Sequence, residues 1–304
     1  FTQNYNINIR GGTDYMKYFA SAGYQGDGDI YDLKKNDDFD PRHTYKRYNW
    51  RSNFDFNFTK STKLSINIAG SMGYRNKSID NDSPFNRILT ESTSDHPIMY
   101  SDGNWGDDEE KNPVANMNLG GAKLRKTFQG WYDASLEQKL DFVLKGLSAR
   151  ASISWDNVFF EQNRGVNSTD GALYKYINPN TGAVSYNPSQ GSHNFDFHEQ
   201  INWVPEGGSI DNGATERHLY YSAQIDYNNT FGKHTVGAMG LFSRQERARG
   251  SIVPNYREDW AFRITYNYAN KYFLEYNGAY NGSDKFSADN RFVFFNSGAL
   301  GWMI

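Results

Sequence analysis

Cysteine is absent from the 304 residues, which excludes a disulfide scaffold and any thiolate metal site. No run approaches the ~18 consecutive apolar residues that a membrane-spanning helix needs. No block of positive charge occurs and the net charge is −3, so nucleic-acid binding has no electrostatic support. Leucine and isoleucine are few beside the aromatics: Tyr 22, Phe 21 and Trp 7 make the chain 16% aromatic, with Gly at 28. That composition suits β-structure with aromatic girdles better than a helical core. A mean hydropathy of −0.80 is compatible with a membrane barrel, because half of every barrel strand faces water and its loops are polar. The chain starts at Phe1 without a Met or signal-peptide pattern. Both of its ends fall in strand-like sequence, so an interior piece of a longer protein is expected.

The dominant pattern is alternation at period two. Tyr48, Trp50, Phe54, Phe56 and Phe58 take the even positions of residues 47–58, and Arg47, Asn49, Arg51, Asn53, Asp55 and Asn57 take the odd ones. After a turn at Thr59–Thr62, Leu64, Ile66, Ile68, Met72 and Tyr74 alternate with Lys63, Ser65, Asn67, Ser71 and Arg75. Such spacing puts the two sets on opposite faces of a strand. Eleven strands are read this way: Gln3–Gly11, Tyr15–Gln25, 47–58, 63–75, Arg125–Leu140, Leu147–Phe159, Arg217–Asn228, Lys233–Gln245, Trp260–Tyr268, Lys271–Asn281 and Phe292–Trp302. The eighth alternates poorly around Met239 to Phe242.

The connections alternate as well. Gly11–Asp14, Thr59–Thr62, Asp141–Gly146, Asn229–Gly232 and Ala269–Asn270 are short; Gly26–Lys46, Asn76–Leu124, Phe160–Glu216, Glu246–Asp259 and Gly282–Arg291 are longer. Short turns at one end and long loops at the other are the habit of outer-membrane barrels. The expected fold is therefore all-β: a transmembrane antiparallel β-barrel, of which these eleven strands form a part. Tyr24, Trp155, Phe159, Trp260, Tyr268, Tyr272 and Trp302 fall at strand ends and read as interfacial belts.

Several stretches, taken in order, resemble SusC/RagA-type TonB-dependent transporters of the Bacteroidota. These are NINIRGGTDYMKYFASAGY (Asn6–Tyr24), KRYNWRSNFDFNFTKSTKLSINIAG (Lys46–Gly70), NPVAN (Asn112–Asn116), KGLSARASISWD (Lys145–Asp156), and RITYNYANKYFLEYNGAYNGSDKFSADNR (Arg263–Arg291) followed by FFNSGALGW (Phe294–Trp302). In that family the Asn-Pro precedes a strand. The resemblance implies a barrel of about 22 strands, a plug domain in its lumen, and coupling to TonB–ExbB–ExbD through parts outside these residues. It also implies a SusD-like surface lipoprotein as partner, outer-membrane lipid around the wall, and a glycan or peptide fragment as substrate. A siderophore or cobalamin receptor without a lid lipoprotein, a passive porin, an outer-membrane barrel enzyme and a soluble glycan-binding module are the other readings.

Three sets of residues could carry function. Tyr100, Trp105, Tyr174, Tyr176, Tyr186, Phe195, Phe197 and Trp203 lie in the two largest loops, where rings beside Asn and Asp suit substrate or partner contact; packing among the loops is the plainer account of them. Arg47, Arg51, Asp55, Arg75, Arg150 and Arg263 occupy polar-face positions and are expected to line the lumen. Asp27 and Asp29 in the Gly26–Asp40 loop, and Asp102, Asp107 and Asp108 in SDGNWGDDEE, have the oxygen density of a Ca²⁺ site but not the twelve-residue loop spacing. The six His residues are scattered, with no nucleophile elbow or phosphate-cradling loop, so no catalysis and no other cofactor are expected.

Overall fold

The computed structural model describes residues 1–35, 39–78, 88–90, 97–106, 112–119, 121–168, 174–178, 180–186, 203–250 and 252–304. Eleven long strands form one antiparallel sheet: β1 Thr2–Gly12, β2 Met16–Asp27, β3 Thr44–Asn57, β4 Thr62–Ser78, β6 Gly121–Lys139, β7 Leu147–Ser168, β12 Glu216–Phe231, β13 His234–Arg249, β14 Asn255–Tyr268, β15 Tyr272–Ser283 and β16 Phe292–Trp302. They pair strictly with their sequence neighbours, so the wall is a plain meander. Among the described residues, β1 and β16 each have a partner on one side only.

The registers make alternation continuous from strand to strand. One row of directly paired residues runs Met16, Phe56, Leu64, Leu136, Ala151, Ala223, Phe242, Trp260, Tyr280 and Phe294. The row begins at the short-turn end of β2 and finishes near the loop end of β15 and β16. Strands are thus staggered against one another, as a closing barrel requires. The neighbouring row, Lys17, Asp55, Ser65, Ser135, Ser152, Ser222, Ser243, Asp259 and Asn281, is polar throughout. Its members bond across strands: the Ser65 hydroxyl donates to Asp55 at 2.6 Å, Lys63 pairs with Asp55 at 3.2 Å, and the Ser152 and Ser222 hydroxyls meet at 2.8 Å.

The polar face carries a cavity of about 1080 Å³ that draws Asp156, His218, Arg247, Arg257, Asn281 and Phe295 from six adjoining strands. The weak alternation of β13 has its reason here. Met239 and Leu241 do lie on the polar face, and Leu241 pairs with Ala261, which pairs with Ala279 beside Phe295. That stretch of the polar face is apolar, so both faces of β13 read alike.

Aromatic rows mark the two ends of the apolar face. Tyr5, Tyr24, Tyr48 and Tyr74 succeed one another at 6.1, 5.2 and 6.2 Å near the loop end. Tyr268, Tyr272 and Trp302 stack at 6.4 and 6.5 Å near the turn end. Between them, rings lie over glycines. A Cβ on Gly70 would strike the Trp50 indole, which continues to Phe128 at 6.1 Å. The glycine is needed for that ring to lie flat on the wall.

The structure corrects the loops. β13 and β14 stay paired to Glu246–Tyr256 and Arg247–Asn255, leaving only residues 250–254 between them. The expected long loop Glu246–Asp259 is therefore a tall hairpin. β7 runs 22 residues, and after the second large loop the chain rejoins it as β10 (Trp203–Glu206) and β11 (Ser209–Ile210) before β12 begins. The NPVAN stretch opens a helix, α1 (Pro113–Leu119), and β6 follows it. Asn112 caps that helix and Pro113 takes its first position, where the missing N–H costs nothing.

Replacing Gly70 by Val should displace Trp50 and lower stability by about 1–3 kcal/mol, read as a lower midpoint of thermal unfolding. An unchanged midpoint would show that the indole does not rest on this backbone.

Candidate functional site

All six polar-face residues expected from sequence share one face: Arg47, Arg51 and Asp55 on β3, Arg75 on β4, Arg150 on β7 and Arg263 on β14. Cross-strand partners hold three of them. Asp55 takes Lys63 and Ser65, Arg150 pairs with Glu137 at 2.8 Å, and Arg263 pairs with Glu275 at 2.7 Å. Arg51 donates to Asn53 at 3.2 Å on its own strand. Arg75 lies over the Tyr45 ring, 5.7 Å from its centroid.

Two concavities occupy this face at the end of the long loops. The larger holds His218, whose Nδ1 is 3.5 Å from Asp156 and whose Nε2 is 3.3 Å from Gln245. Beside it Arg247 pairs with Glu216 at 3.1 Å and Arg257 with Asp259 at 3.0 Å. The smaller, about 340 Å³, lies between β3, β4, β6 and β7 and gathers Arg47, Arg75 and Arg125 with Tyr45 and Phe160. Arg125 sits 4.7 Å from the Phe160 centroid. Of these residues, sequence reasoning singled out only Arg47 and Arg75. The period-two phase points to both Arg125 on β6 and Phe160 on β7, because Phe160 continues the even-numbered set Ser152, Ser154 and Asp156 and pairs with Thr127 in unbroken register.

The two large loops are joined. Residues 105–106 form β5, which pairs in parallel with β8 (Tyr174–Ile177), and β8 pairs with β9 (Val184–Tyr186). Asn112 fastens the first-loop side of this junction. It is buried, its Nδ2 donates to the Ile98 and Gly106 carbonyls at 2.8 and 2.9 Å, and its Oδ1 accepts from Val114 and Ala115 at 3.1 Å. Tyr100 and Trp105 are half-buried in this junction, and the Tyr100 hydroxyl accepts the Ile177 N–H at 3.3 Å. The backbones of Tyr174, Tyr176 and Tyr186 belong to the same small sheet, and that of Trp203 extends the wall beside β7. Phe195 and Phe197 lie outside the described residues.

The acidic positions are engaged within their own loops. Asp29 accepts from Tyr31 N at 2.8 Å and His43 N at 2.7 Å, Asp27 accepts from Gln25 at 3.1 Å, and Asp102 accepts from Asn104 N at 3.2 Å. Asp107 and Asp108 lie outside the described residues. Among the described residues no group of three or more His, Asp or Glu side chains is placed to hold a metal ion. The Arg42 guanidinium, hydrogen-bonded to Asp40 at 2.6 and 2.8 Å, holds that carboxyl below the ordinary range against the opposing effect of burial. Asn76 then ties the Asp40 and Arg42 carbonyls to β4 at 2.7 and 2.9 Å.

No family model matches the chain. It is 24% identical to "TonB-dependent receptor P26" and 22% identical to "TonB-dependent receptor P3" of Formosa agariphila, over 99% and 98% of its own length. It spans 30% of the length of each of these curated relatives. Among solved structures it superposes on the RagAB peptide importer in the "open-open" state with a TM-score of 0.62 at 14% identity, covering 98% of this chain and 33% of that one. The RagAB peptide transporter matches at 0.60 over the same shares. In sequence the chain is similar to proteins named TonB-dependent receptors, and in fold to about a third of the RagAB chain, in line with the SusC/RagA resemblance of its motifs.

Asn112→Ala should loosen the first-loop turn that carries β5 and the start of α1. The cap alone is worth about 0.5–2 kcal/mol; faster amide exchange at Val114 and Ala115 is the expected reading, and unchanged protection would refute the fastening role. Because the Asp40 pKa is lowered on folding, its pairing stabilises the fold above the ordinary carboxylate range and is lost as pH falls through the lowered value. Asp40→Asn should therefore flatten the acid side of the exchange profile of residues 39–43, and an unaltered profile would count against it.

Proposed function

We propose that the chain is part of the wall of an outer-membrane transporter that takes up glycan or peptide fragments by TonB-coupled import. One observation carries the membrane placement: an apolar row paired without a break across ten strands backs onto a polar face. Backbone groups facing hydrocarbon must all be bonded, and a closed sheet does this where an open one cannot. The rows of aromatic rings at both ends of the apolar face suit the two interfaces. Strand segments of nine to eleven residues at ~3.4 Å each, tilted about 40°, cross roughly 25 Å of hydrocarbon. The 19 and 22 residues of β6 and β7 exceed that need and would stand above the membrane.

The uncovered sides of β1 and β16 are satisfied in this reading by further strands of a longer protein. That protein would also supply the plug and the contact with TonB. The relatives' names and the RagAB likeness support import, and RagAB is described in print as a peptide importer. A SusD-like surface lipoprotein is the partner we propose over the joined loops, which present their small sheet at the loop end of the wall. The chain performs no catalysis in this account; its polar face forms one side of the path.

Facing makes the proposal testable within two adjacent residues. Ile66→Arg puts a charge on the apolar face between Phe54 and Ala134 and should block surface assembly, because a lipid-facing Arg near mid-membrane costs ~2–4 kcal/mol. Asn67→Arg, on the opposite face, should assemble as the parent does. Equal surface expression of the two variants would overturn the membrane placement.

A further inference from the structure

Like charges face each other across the ladder at one place on the polar face. Arg75 pairs directly with Arg125, and two residues nearer the loops Lys77 pairs directly with Lys123. Arg47 lies one strand away, opposite Gly73. Like charges directly opposite in an antiparallel pair are destabilising, and two such pairs in succession compound the cost. The remainder of the face avoids this: Asp55 meets Lys63, Glu137 meets Arg150 and Glu275 meets Arg263. The chain as a whole carries a net charge of −3, so this strip is a local departure and not a general basicity.

Among the described residues the surroundings do not neutralise it. No carboxylate lines the concavity that holds Arg47, Arg75 and Arg125. The acid next along the face, Asp27, stands beyond Tyr45 and is bonded by Gln25. Glu161, near β6, is bonded by Lys126 at 3.2 Å and by Arg164 at 2.7 Å. Meanwhile the guanidiniums are braced from the side. Arg75 lies over Tyr45 and Arg125 over Phe160, which fixes their planes and leaves their N–H forks open. Arg75, Arg125 and Lys77 are exposed, while Arg47 and Lys123 are partly covered.

Resting on the reading of this face as the inner wall, we propose that the strip is a binding site for anionic groups of the imported fragment. The ligand class is an oligomer carrying carboxylates or sulfate esters. Residues two apart on a strand rise by about 7 Å, so the Arg pair and the Lys pair offer two successive anion positions along β4 and β6. The repulsion left in the empty wall is relieved when an anion enters, which directs stability lost from the fold into affinity.

The test uses the full-length protein in detergent, with binding measured by calorimetry. Four probes separate the two sources of negative charge: a sulfated tetrasaccharide and its desulfated form, and a tetra-glutamate peptide and its tetra-glutamine form. Wild type should bind at least one anionic probe more tightly than its neutral counterpart. Arg75→Gln combined with Arg125→Gln should weaken that binding tenfold or more and leave the neutral form unchanged. The same variant should unfold no earlier than wild type, because it removes a repulsion; a structural role would lower the midpoint. Lys77→Gln with Lys123→Gln gives a second, independent variant should the first not assemble. Wild type that prefers neither anionic probe, variants that bind as wild type does, or a lowered unfolding midpoint would each overturn the site. Uptake is scored separately. Anion binding by a protein whose uptake does not depend on TonB would sink the transport reading and leave the strip in place.

Discussion

Register is the constraint on which everything else in this wall depends. Each strand alternates at period two, and a slip of one residue would exchange its faces completely. The apolar row from Met16 to Phe294 exists only because nine successive pairings keep the same phase. The polar row beside it is locked by the same pairings and adds its own cross-strand bonds. Aromatic rings over glycines, as with Trp50 on Gly70, add a shape requirement that a shifted strand would not meet. Among the described residues one departure is tolerated, the shift between Leu124 and Lys126, and it falls toward the loop end, beyond the last in-register pairs of β6 with β7.

What was legible in the sequence follows from what alternation reports. Period two appears where the two faces of a strand meet different surroundings, so the eleven long strands and the facing of Arg47, Arg51, Asp55, Arg75, Arg150 and Arg263 could be read directly. Where both faces are polar the contrast vanishes while the backbone ladder continues. Glu246 and Arg247 read as a loop but remain paired to Tyr256 and Asn255. Where both faces are apolar, as at Met239 and Leu241, the contrast vanishes for the opposite reason. The small sheet that joins the large loops was hidden differently: its strands are two to four residues long, too short for any period to register.

The arginine strip shows the same limit for the site. Facing is a property of one strand and can be counted along it. Opposition is a property of two, and Arg75 and Arg125 are separated by the whole first large loop. Nothing in their spacing predicts that they meet, and the repulsion between them becomes visible only once the register is known. The acidic loops illustrate the reverse case. Their density suggested ligands, yet Asp29 and Asp40 are absorbed by backbone N–H groups and by Arg42, a local task that a tally of carboxylates does not distinguish from metal binding.

The parallel bridge between β5 and β8 joins segments that the entire β6–β7 hairpin separates in the chain. The two loops are therefore structurally dependent on each other. A recombination event that exchanged either one alone would bring part of a three-stranded sheet without its complement. The smallest exchangeable module at this end of the wall is the stretch from the first loop through the hairpin to the second. New surfaces can enter this lineage only in blocks of that size, or by point changes that leave the bridge intact.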